Sequence, residues 1–134
     1  MPQPAVLERF GPTIHAIVSQ PAVPNLASPQ QVQSQVVPFL IDTGANESCI
    51  DARVARALQL PVIDIIPMCG IGGVHPCDVV MCQIQIPNVS HSMSGRFACV
   101  DLEGQPHQAL LGRDFLKHVV MIYDGASGHV TILK

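Results

Sequence analysis

The sequence contains few charged side chains. Asp, Glu, Lys and Arg make up 13% of its 134 residues, against about 25% in typical soluble domains, while 48% are hydrophobic. This is more apolar surface than a small monomer comfortably hides, so we expect the chain to self-associate. The formal net charge of −3, with no basic stripe, argues against nucleic acid as a partner.

The sequence also lacks an apolar run long enough to span a bilayer. Its first four residues, Met-Pro-Gln-Pro, have neither the basic region nor the apolar region of a signal peptide. These absences predict a cytoplasmic location and no membrane partner. The length predicts one domain over residues 1–134.

No Cys-x-x-Cys pair occurs among the five cysteines, and their odd number fits reduced thiols better than a disulfide framework. A zinc site could be drawn from Cys69, His75, Cys77 and Cys82, but their spacing matches none of the common structural sites. We therefore predict no metal and no cofactor. A redox-responsive or metal-responsive role for these cysteines is kept as the weakest hypothesis.

An apolar stretch ends abruptly at a carboxylate. Residues 36–41 favour a buried strand, and Asp42, Thr43, Gly44 and Ala45 follow, where glycine allows a sharp turn. Burying Asp42 without partners would cost several kcal/mol, so a carboxylate here needs a reason. The alternative is an ordinary polar turn after a strand.

A second apolar stretch, residues 109–111, also runs into a glycine, Gly112, and continues as Arg113 and Asp114 into a predicted short helix. Between the two stretches lies the glycine-rich segment 69–74, Cys-Gly-Ile-Gly-Gly-Val. In this order, over roughly residues 9–118, the three motifs resemble the paired signatures and the flap tip of retroviral-type aspartic proteases, the retropepsins.

The resemblance implies an all-β fold: a small closed barrel with a flap hairpin and one or two short helices, assembled as a homodimer. The frequent turns also favour a mostly β chain. The predicted strands are residues 13–18, 36–41, 62–66, 79–86 and 97–102, with a closing hairpin of 119–123 and 129–133. The polar composition of residues 19–35 predicts a mobile loop, an insertion relative to the family pattern.

Two details of this fold rest on the residues alone. Asp51 is placed to cap a short helix in which Ile50, Val54 and Leu58 recur at four-residue spacing, and Pro61 is expected to end it. Pro76 restricts the returning arm of the flap hairpin, which leaves the register of that hairpin open.

The resemblance also assigns site residues. It implies that Asp42 is the catalytic carboxylate, that the Thr43 hydroxyl locks the loop across a dimer, and that Gly44 offers a backbone acceptor to bound peptide. The remaining assignments fall into a substrate cleft and a structural support. The cleft comprises Leu40, Ala45, Asn46, Cys69, Gly70, Ile71, Gly72 and Leu110, and the support comprises Gly112, Arg113 and Asp114.

The sequence departs from the family at Asn46, where retroviral members often carry an aspartate that pairs with the arginine of the Gly-Arg motif. An amide can still bond Arg113, without the charge assistance that roughly doubles such a bond. Glu47 is an alternative source of the missing charge. Whether Arg9 joins this group stays open.

Hydrolysis by carboxylates needs one group that accepts a proton and another that donates one, so a single Asp42 does not suffice. Two copies across a two-fold axis would, because like charges about 3 Å apart share one proton. The leading hypothesis is a homodimeric aspartic endopeptidase acting on polypeptides. The alternative is a catalytically silent peptide-binding or assembly module on the same fold. Release from a polyprotein is left open.

Overall fold

The computed structural model describes residues 11–21, 33–70, 72–86, 89 and 92–133. Within them the chain forms β1 (Thr13–Ser19), β2 (Ser34–Ile41), β3 (Cys49–Asp51), α1 (Ala52–Ala57), β4 (Val62–Gly70), β5 (Gly73–Gln85), β6 (Met93–Val100), β7 (Ala109–Leu111), α2 (Arg113–Leu116), β8 (Val120–Asp124) and β9 (His129–Leu133). Strands dominate, and both helices are short. The all-β prediction is confirmed.

Six strands close into a barrel in the order β1-β2-β7-β3-β6-β5, because β1 pairs with β5 as well as with β2. The closing contact is antiparallel and brings Ile17 opposite Gln85. Among the described strands, β4 lies outside the ring and pairs only with β5, so the β4–β5 hairpin extends beyond the barrel as an arm. The structure thus has the predicted closed barrel and hairpin.

Alternating side chains of the strands fill the barrel. In β1, Ile14, Ala16 and Val18 are buried while His15 and Ile17 face outward, as a period of two requires. Each large apolar side chain buried in this way contributes about 1.5–3 kcal/mol to stability.

The core is centred on three aromatic rings. The ring centroids of Phe39 and Phe97 are 6.0 Å apart, and those of Phe97 and Phe115 are 5.0 Å apart. Helix α2 can approach β6 this closely because position 95 is glycine, where a Cβ atom would lie 2.4 Å from the Phe115 ring.

Helix α1 begins at the predicted cap and ends earlier than predicted. The Asp51 carboxylate accepts a hydrogen bond from the backbone N–H of Arg53 at 2.8 Å. At the other end Gln59 adopts φ 52°, and the N–H of Leu60 reaches the Ala55 carbonyl at 3.0 Å, which is a Schellman ending. The prediction that Pro61 stops the helix was therefore wrong, because the chain reverses at Gln59.

Ile50 was wrongly assigned to the helical face. It lies in β3, where it pairs with Cys99 on one side and Ala109 on the other. Its side chain is fully buried, as a helical assignment would also have required.

Asp51 carries an ion pair that the sequence did not indicate. Its carboxylate accepts hydrogen bonds from the Arg53 side chain at 2.8 and 3.1 Å and from the backbone N–H of Leu102 at 3.3 Å. The side-chain bonds from Arg53 are the main reason that the pKa of Asp51 falls to about 2. This carboxylate joins the start of α1 to the loop after β6.

Several predicted boundaries shift because ladder pairing extends into polar residues. Ser19 pairs with Ser34 at the open end of β1 and β2, so the predicted 19–35 loop is shorter at both ends, and residues 22–32 lie outside the described part. Strand β6 begins at Met93 rather than Phe97 and ends before Asp101. The arms β4 and β5 are longer than predicted.

The register of the β4–β5 hairpin is continuous from the pair Asp64–Val79 to the pair Gly70–Gly73. The two prolines, Pro67 and Pro76, face each other across the ladder. This settles the register that Pro76 had left open.

Strands β8 and β9 form a separate two-stranded antiparallel sheet, which confirms the predicted closing hairpin. One face packs on the core through Ile132, which is 3% exposed. The other face leaves Val120, Ile122 and Leu133 exposed. In the described part of the chain, no helix is long and apolar enough to cross a membrane.

Candidate active site

Asp42 follows directly after the last residue of β2. Its backbone N–H donates to the Leu111 carbonyl at 3.0 Å, which ties the loop to the end of β7. The carboxylate accepts a hydrogen bond from the Gly44 N–H at 3.0 Å, and Asp42 is half-buried. The side chain is thereby fixed at one oxygen while the residue keeps access to solvent.

The two apolar-to-glycine motifs lie side by side. Strands β2 and β7 pair in parallel, with Leu40 opposite Leu110 and Ile41 opposite Leu111. Parallel strands end at the same edge of a sheet, so the Asp42 turn and Gly112 meet there. Leu40 and Leu110, both assigned to the cleft, are half-buried neighbours at this edge.

Arg113 holds the Asp42 loop from outside. Its backbone N–H donates to the Ala45 carbonyl at 2.9 Å, and its guanidinium donates to the Thr43 carbonyl at 2.8 Å and to the Asn46 side-chain oxygen. The amide of Asn46 thus takes the contact that the sequence predicted for it. Glu47 makes no ion pair with Arg113 in the described residues, where the guanidinium bonds the Thr43 and Asn46 oxygens instead.

A buried serine that sequence reasoning missed connects the loop to α2. Ser48 is 1% exposed, and its hydroxyl donates to the Asp114 carboxylate at 2.6 Å while accepting from the Gly112 N–H at 2.9 Å. The Ser48 backbone N–H donates to the same carboxylate at 3.0 Å, and the Phe115 N–H donates to it at 2.9 Å. Gly112 and Asp114, which the resemblance assigns to structural support, are both hydrogen-bonded to Ser48.

Gly112 is required by packing rather than by backbone torsion, since its φ is −95°. A Cβ atom there would lie 2.9 Å from the Glu47 carbonyl carbon and 3.0 Å from the Ala45 carbonyl oxygen. These are backbone atoms that cannot rotate away. The Asp42 loop can therefore lie on the start of α2 only when this position has no side chain.

The tip of the β4–β5 hairpin carries the remaining residues assigned to the cleft. Cys69 is exposed, Gly70 pairs with Gly73, and Gly72 and Gly73 have φ 96° and 112°. No hydrogen bond joins Cys69, Gly70 or Gly72 to the loop among the residues described, and Ile71 lies outside them. Strand pairing and hydrogen bonds join the 40–46 and 110–114 assignments, and no hydrogen bond joins them to the described residues of the hairpin tip.

The cysteines are free, and several have weakly acidic thiols. Burial raises the pKa of Cys49 and of Cys99 to about 11 and that of Cys82 to about 12, while it raises the pKa of Cys77 above its ordinary value. Such thiols carry little thiolate, the form that reacts and binds metals. No group of three or more metal-ligating residues occurs in the part of the chain that the structure covers. These observations give the redox or metal hypothesis no support.

Comparison with known proteins gives a family match and a resemblance to solved structures. Residues 29–118 match the profile of a family described as "gag-polyprotein putative aspartyl protease". No curated protein matches the chain. Among solved structures, the chain is similar to the retroviral protease-like domain of Ddi1 from Leishmania major, with a TM-score of 0.49 and 18% sequence identity, covering 90% of this chain and 87% of that one.

Proposed function

The chain belongs to the gag-polyprotein aspartyl protease family, and we propose that it is an aspartic endopeptidase whose active site is built from two Asp42 carboxylates, one from each chain of a homodimer. The observation that carries this proposal is the setting of Asp42. One carboxylate oxygen is fixed by the Gly44 N–H, and the half-buried residue lies where the ends of β2 and β7 meet.

Peptide hydrolysis at such a pair would need no cofactor. One ionised carboxylate removes a proton from water, whose oxygen attacks the carbonyl carbon, and the other, protonated carboxyl gives its proton to the carbonyl oxygen. As the C–N bond breaks, the Asp42 carboxyl that took the water's proton gives it to the leaving nitrogen. The other carboxylate takes a proton back from a hydroxyl of the collapsing gem-diol, which becomes the new carboxyl group. Each Asp42 performs one role because the two like charges disfavour double ionisation.

The homodimer is supported by what one chain leaves incomplete. A single chain supplies one Asp-Thr-Gly segment, and the outward face of the β8–β9 hairpin exposes Val120 by 61%, Ile122 by 53% and Leu133 by 44%. Burying such a face against a second copy gains free energy in proportion to the apolar area covered. Thr43, which is exposed in the single chain, would then be free to bond across the dimer.

Substrate would lie between the Asp42 loop and the β4–β5 hairpin. In this proposal Leu40, Ala45, Asn46 and Leu110 would form the floor of the cleft, and Cys69, Gly70 and Gly72 of the hairpin tip would form its cover. The positive φ values at Gly72 and Gly73 suit a segment that changes conformation to admit a polypeptide. The family description names a gag-polyprotein, which supports release of this domain from a longer chain.

The test compares the unmutated chain with Asp42→Asn and with a control, Asp101→Asn. The Asp101 carboxylate is exposed, lies after β6 and accepts a hydrogen bond from the Glu103 N–H. Each is incubated with a denatured polypeptide across pH. We expect cleavage by the unmutated chain and the control, with a bell-shaped pH profile, and none by Asp42→Asn. Undiminished cleavage by Asp42→Asn refutes the assignment, and no cleavage by any chain supports a silent peptide-binding module.

Subunit mixing tests the two-chain site separately. A large excess of Asp42→Asn chain, allowed to exchange with unmutated chain, should depress the rate well below that of the unmutated chain alone. Mass measurement of labelled chains shows whether exchange has occurred. Demonstrated mixing with an undiminished rate would mean that one chain suffices.

A further inference from the structure

A cavity of about 600 Å³ lies between helix α1 and the sheet, at the base of the β4–β5 hairpin. Its helix side is lined by Ala55 and Arg56, and its sheet side by Val62, Asp78 and Cys99. The volume falls within the roughly 300–1,000 Å³ typical of sites for small ligands. None of the roles assigned above uses this cavity.

The cavity lies on the opposite face of β5 from the end of the Asp42 loop. Val79 lines the space next to Glu47 at the end of that loop, whereas its neighbours Asp78 and Val80 line the cavity. This division follows from strand geometry, because successive side chains of a strand point to opposite faces of a sheet. A molecule bound in the cavity therefore does not occupy the peptide cleft.

The walls of the cavity offer apolar surface. Ala55, Leu60 and Val80 contribute side chains that are themselves nearly buried, while Val62 is 55% exposed. Covering Val62 with an apolar group gains free energy in proportion to the area removed from water. The cavity therefore favours a ligand with an apolar body.

Two opposite charges border this apolar surface. Arg56 belongs to α1 and Asp78 to β5, and neither forms an ion pair within the described residues. Both charges act on Cys99, since burial raises the pKa of this thiol to about 11, the negative charge of Asp78 adds to the rise, and the positive charge of Arg56 opposes it. The two charges thus share one cavity without neutralising each other by direct contact.

A ligand that satisfies both charges carries an anionic group and a cationic group on an apolar body. A guanidinium binds a carboxylate through two parallel N–H donors, and a carboxylate accepts hydrogen bonds from an ammonium. A short peptide with free ends and apolar side chains has this arrangement. A purely apolar ligand would leave both Arg56 and Asp78 unused, and a ligand with one charge would pair with only one of them.

We propose that this cavity binds short apolar peptides by their two free ends, with the peptide carboxylate on Arg56 and the peptide ammonium on Asp78. The apolar side chains of the peptide lie against Ala55 and Val62. An endopeptidase that cuts one chain at two places releases fragments with two free ends, so this ligand class includes products of the reaction. That link, unlike the binding itself, rests on the proposed function.

The cavity also joins α1 to the hairpin. Val62 is the first residue of β4, and Asp78 lies opposite Ile65 in the β4–β5 ladder. A peptide that bridges Arg56 and Asp78 therefore ties the base of the hairpin to the helix. A hairpin held in this way opens less readily to a polypeptide, so bound product slows turnover.

Binding is measured by NMR titration of the isotope-labelled Asp42→Asn chain, which is not expected to cleave the ligand. The ligands are leucyl-leucine, its N-acetyl derivative, which lacks the ammonium, and its C-terminal amide, which lacks the carboxylate. We expect leucyl-leucine to shift amide signals of α1 and of the base of the hairpin. Each blocked peptide should bind about threefold to tenfold more weakly, the effect of one partly exposed charge pair. Shifts centred on the Asp42 loop, or no saturable binding, overturn the proposal.

Two exposed side chains are then changed in the same chain. Arg56→Gln should weaken the binding of leucyl-leucine by about threefold to tenfold and leave that of the amide unaffected, because the amide has no carboxylate to pair. Asp78→Asn should weaken leucyl-leucine and leave the N-acetyl peptide unaffected. The controls Lys117→Gln and Asp101→Asn remove the same charges at exposed sites outside the cavity and should bind every peptide like the parent chain. Equal weakening of blocked and unblocked peptides overturns the assignment of the two ends.

Cleavage separates this proposal from the proposed function. Leucyl-leucine should lower kcat of the unmutated chain with little change in KM, and Arg56→Gln should need about threefold to tenfold more peptide for the same fractional loss of its own rate. A rise in KM alone, equal in both chains, or no effect at saturating peptide overturns the coupling to the hairpin. Charge-dependent binding at α1 in a chain that cleaves nothing refutes the endopeptidase and keeps the peptide site.

Discussion

Replacing Ser48 with alanine tests whether the Asp42 loop is held by the buried hydroxyl beneath it. The change removes a hydrogen bond to the Asp114 carboxylate and leaves the buried N–H of Gly112 without its acceptor. A bond to a charged group contributes about 1.5–3 kcal/mol, and an unsatisfied buried N–H costs about 1–3 kcal/mol. Because both effects come from one hydroxyl, they are not additive, and we expect the free energy of unfolding to fall by roughly 3 kcal/mol.

Urea unfolding gives the measurement. With a slope of about 2 kcal/mol per molar, a loss of roughly 3 kcal/mol lowers the midpoint by about 1.5 M at unchanged slope. All chains are compared at one protein concentration, since association would shift the midpoint. The control is Ser34→Ala, an exposed serine in β2 whose removal should change the free energy of unfolding by less than about 0.5 kcal/mol.

A double-mutant cycle with Asp114→Asn isolates the pair. The amide that Asp114→Asn introduces can no longer accept from both the hydroxyl and the backbone N–H of Ser48 as the Asp114 carboxylate does. In the Asp114→Asn chain, Ser48→Ala should therefore lower the free energy of unfolding by much less. We expect a coupling of about 1–2 kcal/mol between the two positions. A Ser48→Ala midpoint equal to that of Ser34→Ala, or additive effects in the cycle, would refute the reasoning.

Three further outcomes follow from the geometry. Gly112→Ala should lower the free energy of unfolding by about 1–3 kcal/mol, because its Cβ atom would meet backbone atoms of Ala45 and Glu47. The control is Gly125→Ala, whose Cβ atom would have its nearest neighbour at 3.9 Å and which should leave stability nearly unchanged. Asp51→Asn should lower the free energy of unfolding by about 1–2 kcal/mol at neutral pH, a figure discounted for the half-exposed Arg53. In an acid titration the difference from the unmutated chain should disappear as pH falls from about 4 towards 2, since the pKa of Asp51 is lowered to about 2 in the folded chain. A difference constant down to pH 2 would contradict the ion pair. Gly72→Val should reduce the rate of cleavage strongly and the urea midpoint only slightly, because a β-branched residue is strained at φ 96°. Full activity in this variant would show that the hairpin tip does not move during turnover.

The sequence predicted those parts of the site that depend on local chemistry. Asp42 after an apolar strand and Gly44 in the turn are recognisable because strand composition and glycine act within a few residues. The predicted cap at Asp51 is correct for the same reason. The meeting of this turn with Gly112 is a long-range contact, and it was anticipated only through the resemblance to a family.

Ser48 shows what local reasoning cannot reach. Its partner Asp114 is 66 positions away in sequence, and nothing near Ser48 marks it as buried. Ile50 shows the opposite failure, because a buried apolar residue four positions before Val54 fits a helix and a strand equally well until pairing partners are known. In both cases the missing information was the neighbour that the barrel supplies.

The hydrogen bonds of Asp42 allow the effect of Asp42→Asn on cleavage to be measured apart from any effect on folding. Its side chain accepts one hydrogen bond, from the Gly44 N–H, and an asparagine oxygen at the same place can accept that bond unchanged. The backbone bond to Leu111 does not depend on the side chain at all. We therefore expect the urea midpoint of Asp42→Asn to differ from that of the unmutated chain by the equivalent of no more than about 0.5 kcal/mol. If two carboxylates repel each other in a dimer, the variant should have the higher midpoint. A midpoint well below that of the unmutated chain would show that the carboxylate supports the fold, and loss of cleavage in that variant would then carry no information about catalysis.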